Sequence, residues 1–140
     1  MCSSDLMIST KGRYALRVMI DLAEHTEEGY IPLRDIAERQ EISKKYLEII
    51  MSELVKSGMV SGISGKHGGY SLTRDPSDYP VSDILKTMEG DLAPVACLRD
   101  GAEPCPRAAS CRTLPLWSEL NDIVSDFLSS KRLSDLTANT

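Results

Sequence analysis

The apolar residues at the start of the chain recur with the period of an α-helix. Two stripes repeat every three to four residues, one formed by Tyr14, Val18, Met19 and Leu22 and the other by Leu16, Ile20 and Ala23. They predict a first helix that is buried on more than one side, because both stripes need apolar neighbours. Thr10 is predicted to cap this helix, which would end near His25 before the polar turn 27–29.

Shorter helices and a hairpin are predicted in the middle of the chain. Their predicted bounds are helices over 33–39, 43–57 and 81–89 and strands over 60–63 and 70–73. Pro32 and Ser43 are typical of helix starts, and Gly58 is typical of a helix end. The glycine-rich segment 64–69 between the two strands predicts the turn of a β-hairpin.

The composition changes after Gly90. From there to Pro115 the chain holds four of its seven prolines and three of its four cysteines, Cys97, Cys105 and Cys111. A long loop within a small domain is usually functional or disordered. A long helix is then predicted over 116–130, and its wide apolar face is formed by Leu116, Trp117, Leu120, Ile123, Val124, Phe127 and Leu128.

Residues 33–52 fit the packing requirements of a helix-turn-helix. Ala37 is small where the two helices would touch, and Glu41 occupies the place where the turn usually has a glycine. The third helix would direct its first turn outward, toward base edges and phosphates in a major groove. The residues of that turn are Ser43, Lys44, Lys45 and Tyr46. The alternative interpretation is an ordinary helical hairpin in a bundle.

The hairpin favours the DNA-binding interpretation over the bundle. Its glycine-rich tip carries Ser64, Lys66 and His67, which is typical of a wing that reaches the adjacent minor groove. Lys11 and Arg13, at the start of the first helix, are further candidates for phosphate contacts.

The charge of the chain is negative overall but uneven. The 140 residues carry a net charge of −5, which by itself argues against a nucleic-acid partner. Residues 43–74, however, hold five basic and two acidic side chains, a net +3 on a body of −8. A local basic patch is sufficient for DNA binding. No apolar run is long enough to span a membrane and no signal peptide is apparent, so we expect a cytoplasmic protein.

Several segments together resemble the Rrf-two family of bacterial winged-helix regulators. The matching segments are ISTKGRYAL over 8–16, Ile36-Ala37, Ser43 with Tyr46-Leu47-Glu48, Gly68-Gly69-Tyr70, Asp83-Ile84 with Glu89-Gly90, and Leu116-Trp117 before the long helix. The resemblance covers about residues 7–136. It implies a homodimer whose long C-terminal helices cross, placing two recognition helices on a double-stranded DNA operator with two half-sites. In iron–sulfur members, three cysteines in the loop before the long helix bind a cluster that tunes DNA affinity.

The three loop cysteines suit such a cluster chemically. Thiolates are soft ligands for iron–sulfur clusters and zinc, and the C-x7-C-x5-C spacing is wider than that of compact zinc knuckles. A 2Fe–2S cluster is the favoured interpretation, ahead of a 4Fe–4S cluster, with zinc binding, thiol oxidation and buried spectator cysteines as alternatives. An isolated chain would readily lose such a cluster.

The fourth ligand of this cluster is left open by the sequence. The two places where family members carry it hold Leu114 and Arg13 here, so the chain departs from both patterns. Glu103, Asp100, a solvent or thiol molecule and a group from the partner chain are the remaining candidates.

The predicted fold class is mainly α with a small β-hairpin wing, organised as a winged helix-turn-helix domain plus a long C-terminal dimerisation helix. Residues 1–6, before Met7, are interpreted as an expression scar or an extension. The DNA-binding domain is assigned to 7–90, the cysteine-bearing sensor loop to 91–115, and the dimerisation helix and tail to 116–140.

Three classes of function compete for this sequence. The favoured one is a regulator, repressor or activator, that senses iron–sulfur status or redox or nitrosative stress. The alternatives are a cluster-free regulator of cysteine metabolism that acts through a protein partner, and a thiol- or zinc-based redox regulator. An enzyme is not expected, because no Ser/His/Asp set stands out and the turn at 65–69 is not followed by the helix of a phosphate-binding loop.

Overall fold

A computed structural model describes residues 8–90 and 112–137 of the chain. In this part of the chain the elements are α1 (Thr10–Glu24), α2 (Leu33–Gln40), α3 (Lys44–Lys56), β1 (Val60–Ile63), β2 (Gly69–Leu72), α4 (Val81–Glu89) and α5 (Leu114–Ser130). Short 3-10 turns lie at Thr26–Glu28, Pro76–Asp78 and Leu133–Leu136. The predicted fold class, mainly helical with one hairpin, is confirmed.

The first helix is the centre of the core. Both of its predicted apolar stripes face protein, and Ala15, Val18 and Met19 are completely buried. The helix packs against α2, α4 and β2. The prediction that Thr10 caps it is wrong. Ser9 has the extended backbone of an N-cap, its Oγ accepts a hydrogen bond from the Gly12 amide, and Thr10 is already helical.

The turn between α2 and α3 is closed by a residue that is not glycine. Glu41 has φ 54° and ψ 45°, the left-handed conformation that ends α2. The Ile42 amide then donates to the Ala37 carbonyl at 3.2 Å, and the Ile42 side chain enters the core. Ser43 caps α3 as predicted, because its Oγ accepts from the Tyr46 amide at 3.2 Å.

The hairpin is attached to the start of α2 by a third extended segment. β1 and β2 are antiparallel, with Val60 opposite Leu72, and Ile31 forms a bridge to Tyr70 through two hydrogen bonds of 2.9 Å. Gly69 has φ 159°, and a Cβ there would lie 2.4 Å from the Ile31 carbonyl oxygen. Only glycine allows this close approach.

A buried tyrosine connects the base of the hairpin to the segment that follows α5. The Tyr79 hydroxyl donates to the Met59 carbonyl at 2.7 Å and accepts from the amides of Thr73 and Arg74. The Leu133 amide donates to the Tyr79 carbonyl, and the Leu133 side chain is completely buried. The sequence also predicts that the last ten residues are mostly a tail. That prediction is wrong at Leu133, whose side chain enters the core.

The last helix is attached mainly by its C-terminal end. Leu128 packs on Val81 and Leu85, and the Ser129 and Ser82 hydroxyls are 3.2 Å apart. With 17 residues against the nine of α4, α5 is about twice as long at 1.5 Å per residue. Much of its apolar face is consequently left exposed, including Leu116 at 57%, Ile123 at 58% and Phe127 at 57%.

Candidate nucleic-acid interface

The first turn of α3 is exposed in the way that a recognition helix requires. Ser43, Lys44 and Lys45 are exposed, whereas Leu47 and Ile50 on the opposite face are completely buried. The apolar face of the helix therefore anchors it, and its polar N-terminal face is left for a ligand.

Tyr46 is held more firmly than its neighbours. It is half-buried, and its ring lies 5.6 Å from that of Tyr14 on α1 at an interplanar angle of 57°. The guanidinium of Arg17 lies 5.2 Å from the Tyr14 ring centroid. This tilted ring contact orients the start of α3 relative to α1, so only the exposed part of Tyr46 is available to a ligand.

The tip of the hairpin carries the three predicted wing residues. Ser64, Lys66 and His67 are all exposed. The tip turns because Gly65 has φ 106° and accepts a hydrogen bond from the Gly68 amide through its carbonyl. The strand end and the start of α2 hold the wing at its base, so the tip projects as a polar loop.

The wing and the recognition helix border the same cleft. Lys44 of α3 and Lys66 of the wing both line it, and Arg34 at the start of α2 supplies a third cation. Arg34, Lys66 and His67 also line the adjoining depression. The sequence analysis did not include Arg34 among the DNA-binding candidates, since it lies outside the basic stretch 43–74. Its place in the first turn of the helix that Pro32 begins could have indicated that it lies near the other exposed helix start.

The two candidates on α1 are placed differently from one another. The Lys11 Nζ lies 2.7 and 2.6 Å from the two carboxylate oxygens of Glu53, so its charge is already paired and ties α1 to the middle of α3. Arg13 is exposed, and its guanidinium donates to the Thr10 hydroxyl at 3.1 Å. Arg13 therefore remains exposed to solvent, whereas Lys11 links α1 to α3 through its ion pair with Glu53.

A buried carboxylate joins α1 to α2. Asp21 accepts hydrogen bonds from Arg39 at 2.7 and 3.0 Å and from Gln40 at 2.9 Å. Burial raises the pKa of Asp21, but the bonds from Arg39 and Gln40 and the charge of Arg39 outweigh it and leave this pKa below its ordinary value of 3.8. His25 closes α1 nearby, with its Nδ1 2.7 Å from the Asp21 carbonyl oxygen.

A second junction connects the end of α4 to the beginning of α1. The Glu89 carboxylate accepts from the Ser9 amide at 2.5 Å and from the Ser9 hydroxyl at 2.9 and 3.0 Å. A Cβ at Gly12 would lie 2.3 Å from a Glu89 oxygen, so the glycine makes room for this carboxylate. Glu89 is the last residue of α4, and the cysteine-bearing segment begins two residues later.

The candidate metal ligands Cys97, Cys105 and Cys111 lie outside the described residues. Within 8–90 and 112–137, no three His, Cys, Asp or Glu side chains are grouped to hold a metal. In the same part of the chain, none of the helices combines the length and the apolar composition that a bilayer-spanning segment requires.

An exposed helix start beside a glycine-tipped hairpin, both supported by one helical core, defines a winged helix-turn-helix DNA-binding protein. The sequence profile of the Rrf2 family, described as an iron-dependent transcriptional regulator, matches residues 8–139. This chain belongs to that family, the Rrf-two family of the sequence analysis, and is a DNA-binding transcriptional regulator of its type.

Relatives and solved structures agree with this assignment. The chain is 40% identical over 134 residues to the transcriptional regulator IscR of Photorhabdus laumondii, covering 96% of this chain and 80% of that protein. It resembles the structure of CymR, the global cysteine regulator of B. subtilis, with a TM-score of 0.77, 38% identity and coverage of 96% and 98%. The T. potens IscR structure matches with a TM-score of 0.74, 34% identity and coverage of 96% and 88%.

Proposed function

We propose that this regulator inserts the first turn of α3 into the major groove and the wing into the adjacent minor groove. Base edges and phosphates would be contacted by Ser43, Lys44, Lys45 and Tyr46. The DNA backbone would be contacted by Ser64, Lys66, His67 and Arg13. The observation that carries this proposal is the shared cleft, because it places a recognition-helix lysine and a wing lysine on the same face of the protein. The paired charge of Lys11 makes it the weakest of the predicted contacts.

The proposal includes a homodimer formed through α5, acting in the cytoplasm on an operator with two half-sites. It is supported by exposed apolar residues spaced seven and four positions apart, Leu116, Ile123 and Phe127. This is the spacing of a helix–helix seam. Such a stripe is costly in water, so a second copy of α5 is a suitable partner for it. Two-fold symmetry would present two α3 helices to one duplex.

The proposed sensor is an iron–sulfur cluster held by Cys97, Cys105 and Cys111. The donor set fits, since three thiolates are the usual soft ligands of such clusters. When bound, the cluster would supply a redox-active centre that responds to oxidants or to iron supply. The two residues at the family's fourth-ligand places do not fit: the Arg13 guanidinium is cationic and bonded to Thr10, and Leu114 has no donor atom. The remaining candidates for the fourth ligand are Glu103, Asp100, a solvent or thiol molecule and a group from the partner chain.

The described residues offer a route from the cysteine segment to α3. Glu89, at the segment's near end, holds Ser9 at the start of α1. Lys11, two residues further along, holds Glu53 on α3. A change in the cysteine-bearing segment that moves Glu89 would therefore shift α1 and, through Lys11 and Glu53, the position of the recognition helix. The size of the effect is limited by how strongly the sensor prefers one arrangement over the other.

A second candidate is a cluster-free regulator of cysteine metabolism that works through a protein partner. It is favoured by the similarity to CymR of B. subtilis and of Staphylococcus aureus. Anaerobic purification with a visible spectrum and iron and sulfide analysis separates the two candidates. The cluster proposal expects a coloured protein with iron and sulfide that Cys105→Ser abolishes, and a colourless, iron-free wild type under these conditions would refute it.

The DNA-binding residues are tested by titrating a labelled duplex with protein over a salt series. Wild-type affinity should fall steeply with salt, because phosphate contacts release counterions. Lys45→Ala should weaken binding several-fold without changing the far-ultraviolet circular dichroism spectrum. Lys86→Ala, which removes an exposed charge from α4, is the matched control. Equal affinities for the two variants would show that the recognition helix is misplaced.

A further inference from the structure

We propose that Arg34, together with Lys44 and Lys66, forms a cleft that binds one phosphodiester of the DNA backbone between the recognition helix and the wing. The three cations come from three different elements, the start of α2, the start of α3 and the hairpin tip, yet they line one depression. This inference rests on the proposed function, because it assigns a specific ligand group to part of the DNA-binding face.

The basic side chains of the helix-turn-helix divide into those used internally and those left free. Lys11 is paired with Glu53, Arg39 with Asp21, and Arg17 donates to the carbonyl and side-chain oxygens of Gln40. Glu53 and Asp21 therefore largely neutralise the charges of Lys11 and Arg39, and the hydrogen bonds to Gln40 hold the guanidinium of Arg17 in place.

The cations of the cleft are not used in this way. Lys44 and Lys66 have no hydrogen-bond or ion-pair partner within residues 8–90 and 112–137. The Arg34 side chain is 79% exposed, and its Nε is 3.9 Å from the Asp35 carboxylate, a weak contact at the edge of ion-pair range. Three largely uncompensated positive charges around one depression repel each other and favour an anion.

The position of the cleft identifies which anion it would meet. A recognition helix in the major groove and a wing in the minor groove straddle the strand that separates the two grooves, and that strand is a row of phosphates. The cleft lies between helix and wing, so a phosphodiester rather than a base edge would enter it. The planar guanidinium of Arg34 suits two phosphate oxygens at once, whereas the lysines act as point charges.

The expected effect follows from counterion release. Each phosphate contact contributes about 0.9 to the slope of log Kd against log salt on duplex DNA. Losing one contact, with equal affinity at 1 M salt, weakens binding about eightfold at 0.1 M salt. Because a phosphate carries no sequence information, the loss should be the same on a duplex selected by the protein and on one of random sequence.

The test compares Arg34→Gln, Arg34→Lys and the charge-matched control Lys86→Gln by fluorescence anisotropy from 50 to 400 mM salt. Arg34→Gln should reduce the slope by up to about one unit, since Lys44 and Lys66 still line the cleft. Arg34→Lys should keep the slope, and Lys86→Gln should leave it unchanged. Thermal melting confirms that each variant is folded. If Arg34→Gln and Lys86→Gln have the same slope while wild-type affinity still falls steeply with salt, the phosphodiester site in the cleft is refuted but the proposed function is not. Absence of salt-dependent binding by the wild type overturns both.

A second measurement locates the contact on the DNA. Neutral methylphosphonate is placed at single positions of the selected duplex. One position should weaken the wild type severalfold and Arg34→Gln by a smaller factor, because the variant has already lost the arginine's contact with that phosphate and keeps only those of Lys44 and Lys66. If every position affects both proteins equally, Arg34 contacts no particular phosphate and the inference is wrong.

Discussion

Replacing Arg39 by methionine should destabilise the protein more than its surface position suggests. Met preserves much of the length and apolar character of the side chain but removes the guanidinium that bonds Asp21 at 2.7 and 3.0 Å. The Asp21 side chain is only 1% exposed. After the change its carboxylate would keep Gln40 as a direct donor, at 2.9 Å, and would lose both bonds from the guanidinium.

The magnitude follows from the burial of the acceptor. Removing one partner of a buried ion pair costs about 3–5 kcal/mol, and a single hydrogen bond to a charged group contributes about 1.5–3 kcal/mol. Arg39 is one-third exposed and Gln40 remains, so the cost should fall below that of a fully buried pair and within the hydrogen-bond range, at about 2–3 kcal/mol. That is a large fraction of the total stability of a small domain, about 5–15 kcal/mol.

The pH dependence has a definite sign. The pKa of Asp21 is lowered in the folded protein, so the stabilisation is fully present above the ordinary value of 3.8 and is lost as pH falls through the folded value. In Arg39→Met the isolated carboxyl is buried without its cation, which raises its pKa. The difference between the two proteins should therefore be constant near neutrality and shrink in acid.

Urea unfolding followed by circular dichroism measures these differences. Wild type, Arg39→Met, Asp21→Asn and the double variant form a cycle at pH 7 and at pH 4. The double variant should be more stable than Arg39→Met alone, since asparagine removes the stranded charge. A cost below about 0.5 kcal/mol for Arg39→Met, the value of a typical exposed ion pair, or no rescue by Asp21→Asn, would refute the reasoning.

Three further predictions concern the turn, the wing and the last helix. Glu41→Gly should stabilise the protein by about 0.5–1 kcal/mol in urea unfolding because φ is 54° there, and an unchanged midpoint would show that no strain is stored. Gly69→Ala should lower stability by more than about 1 kcal/mol, since its Cβ would meet the Ile31 carbonyl; normal stability would contradict the close approach of the two segments. Ile123→Lys should shift light-scattering mass from dimer to monomer, and a persistent dimer would mean that α5 is not the interface.

The elements were predictable because their signals are local. The stripes of α1, the Ser43 cap and the glycine-rich hairpin tip each depend on a few neighbouring residues. The sequence also flagged Glu41 as standing in a glycine position. It could not show whether the turn would have another shape or whether Glu41 would adopt a left-handed backbone. The outcome depends on the burial of Ile42, which is favourable only in the folded protein and offsets the strain at Glu41.

The errors and omissions arose from contacts between distant residues. Ser9 and Glu89 are 80 positions apart, and Lys11 and Glu53 are 42 apart, so no periodicity connects them. Leu133 follows the last helix and has no amphipathic pattern around it, yet it completes the core beside Tyr79. The assignment of the three cysteines to a sensor remains a prediction, as do the domain bounds 7–90, 91–115 and 116–140.

By itself the amino-acid sequence determined the order and type of the elements, the recognition-helix cap and the family, since these depend on the spacing of apolar residues and on short motifs. Only the tertiary structure decided which charges are free. It paired Lys11 and Arg39 with carboxylates and left Arg34 beside Lys44 and Lys66, because the surroundings of a charge are set by segments that packing brings together from distant parts of the chain.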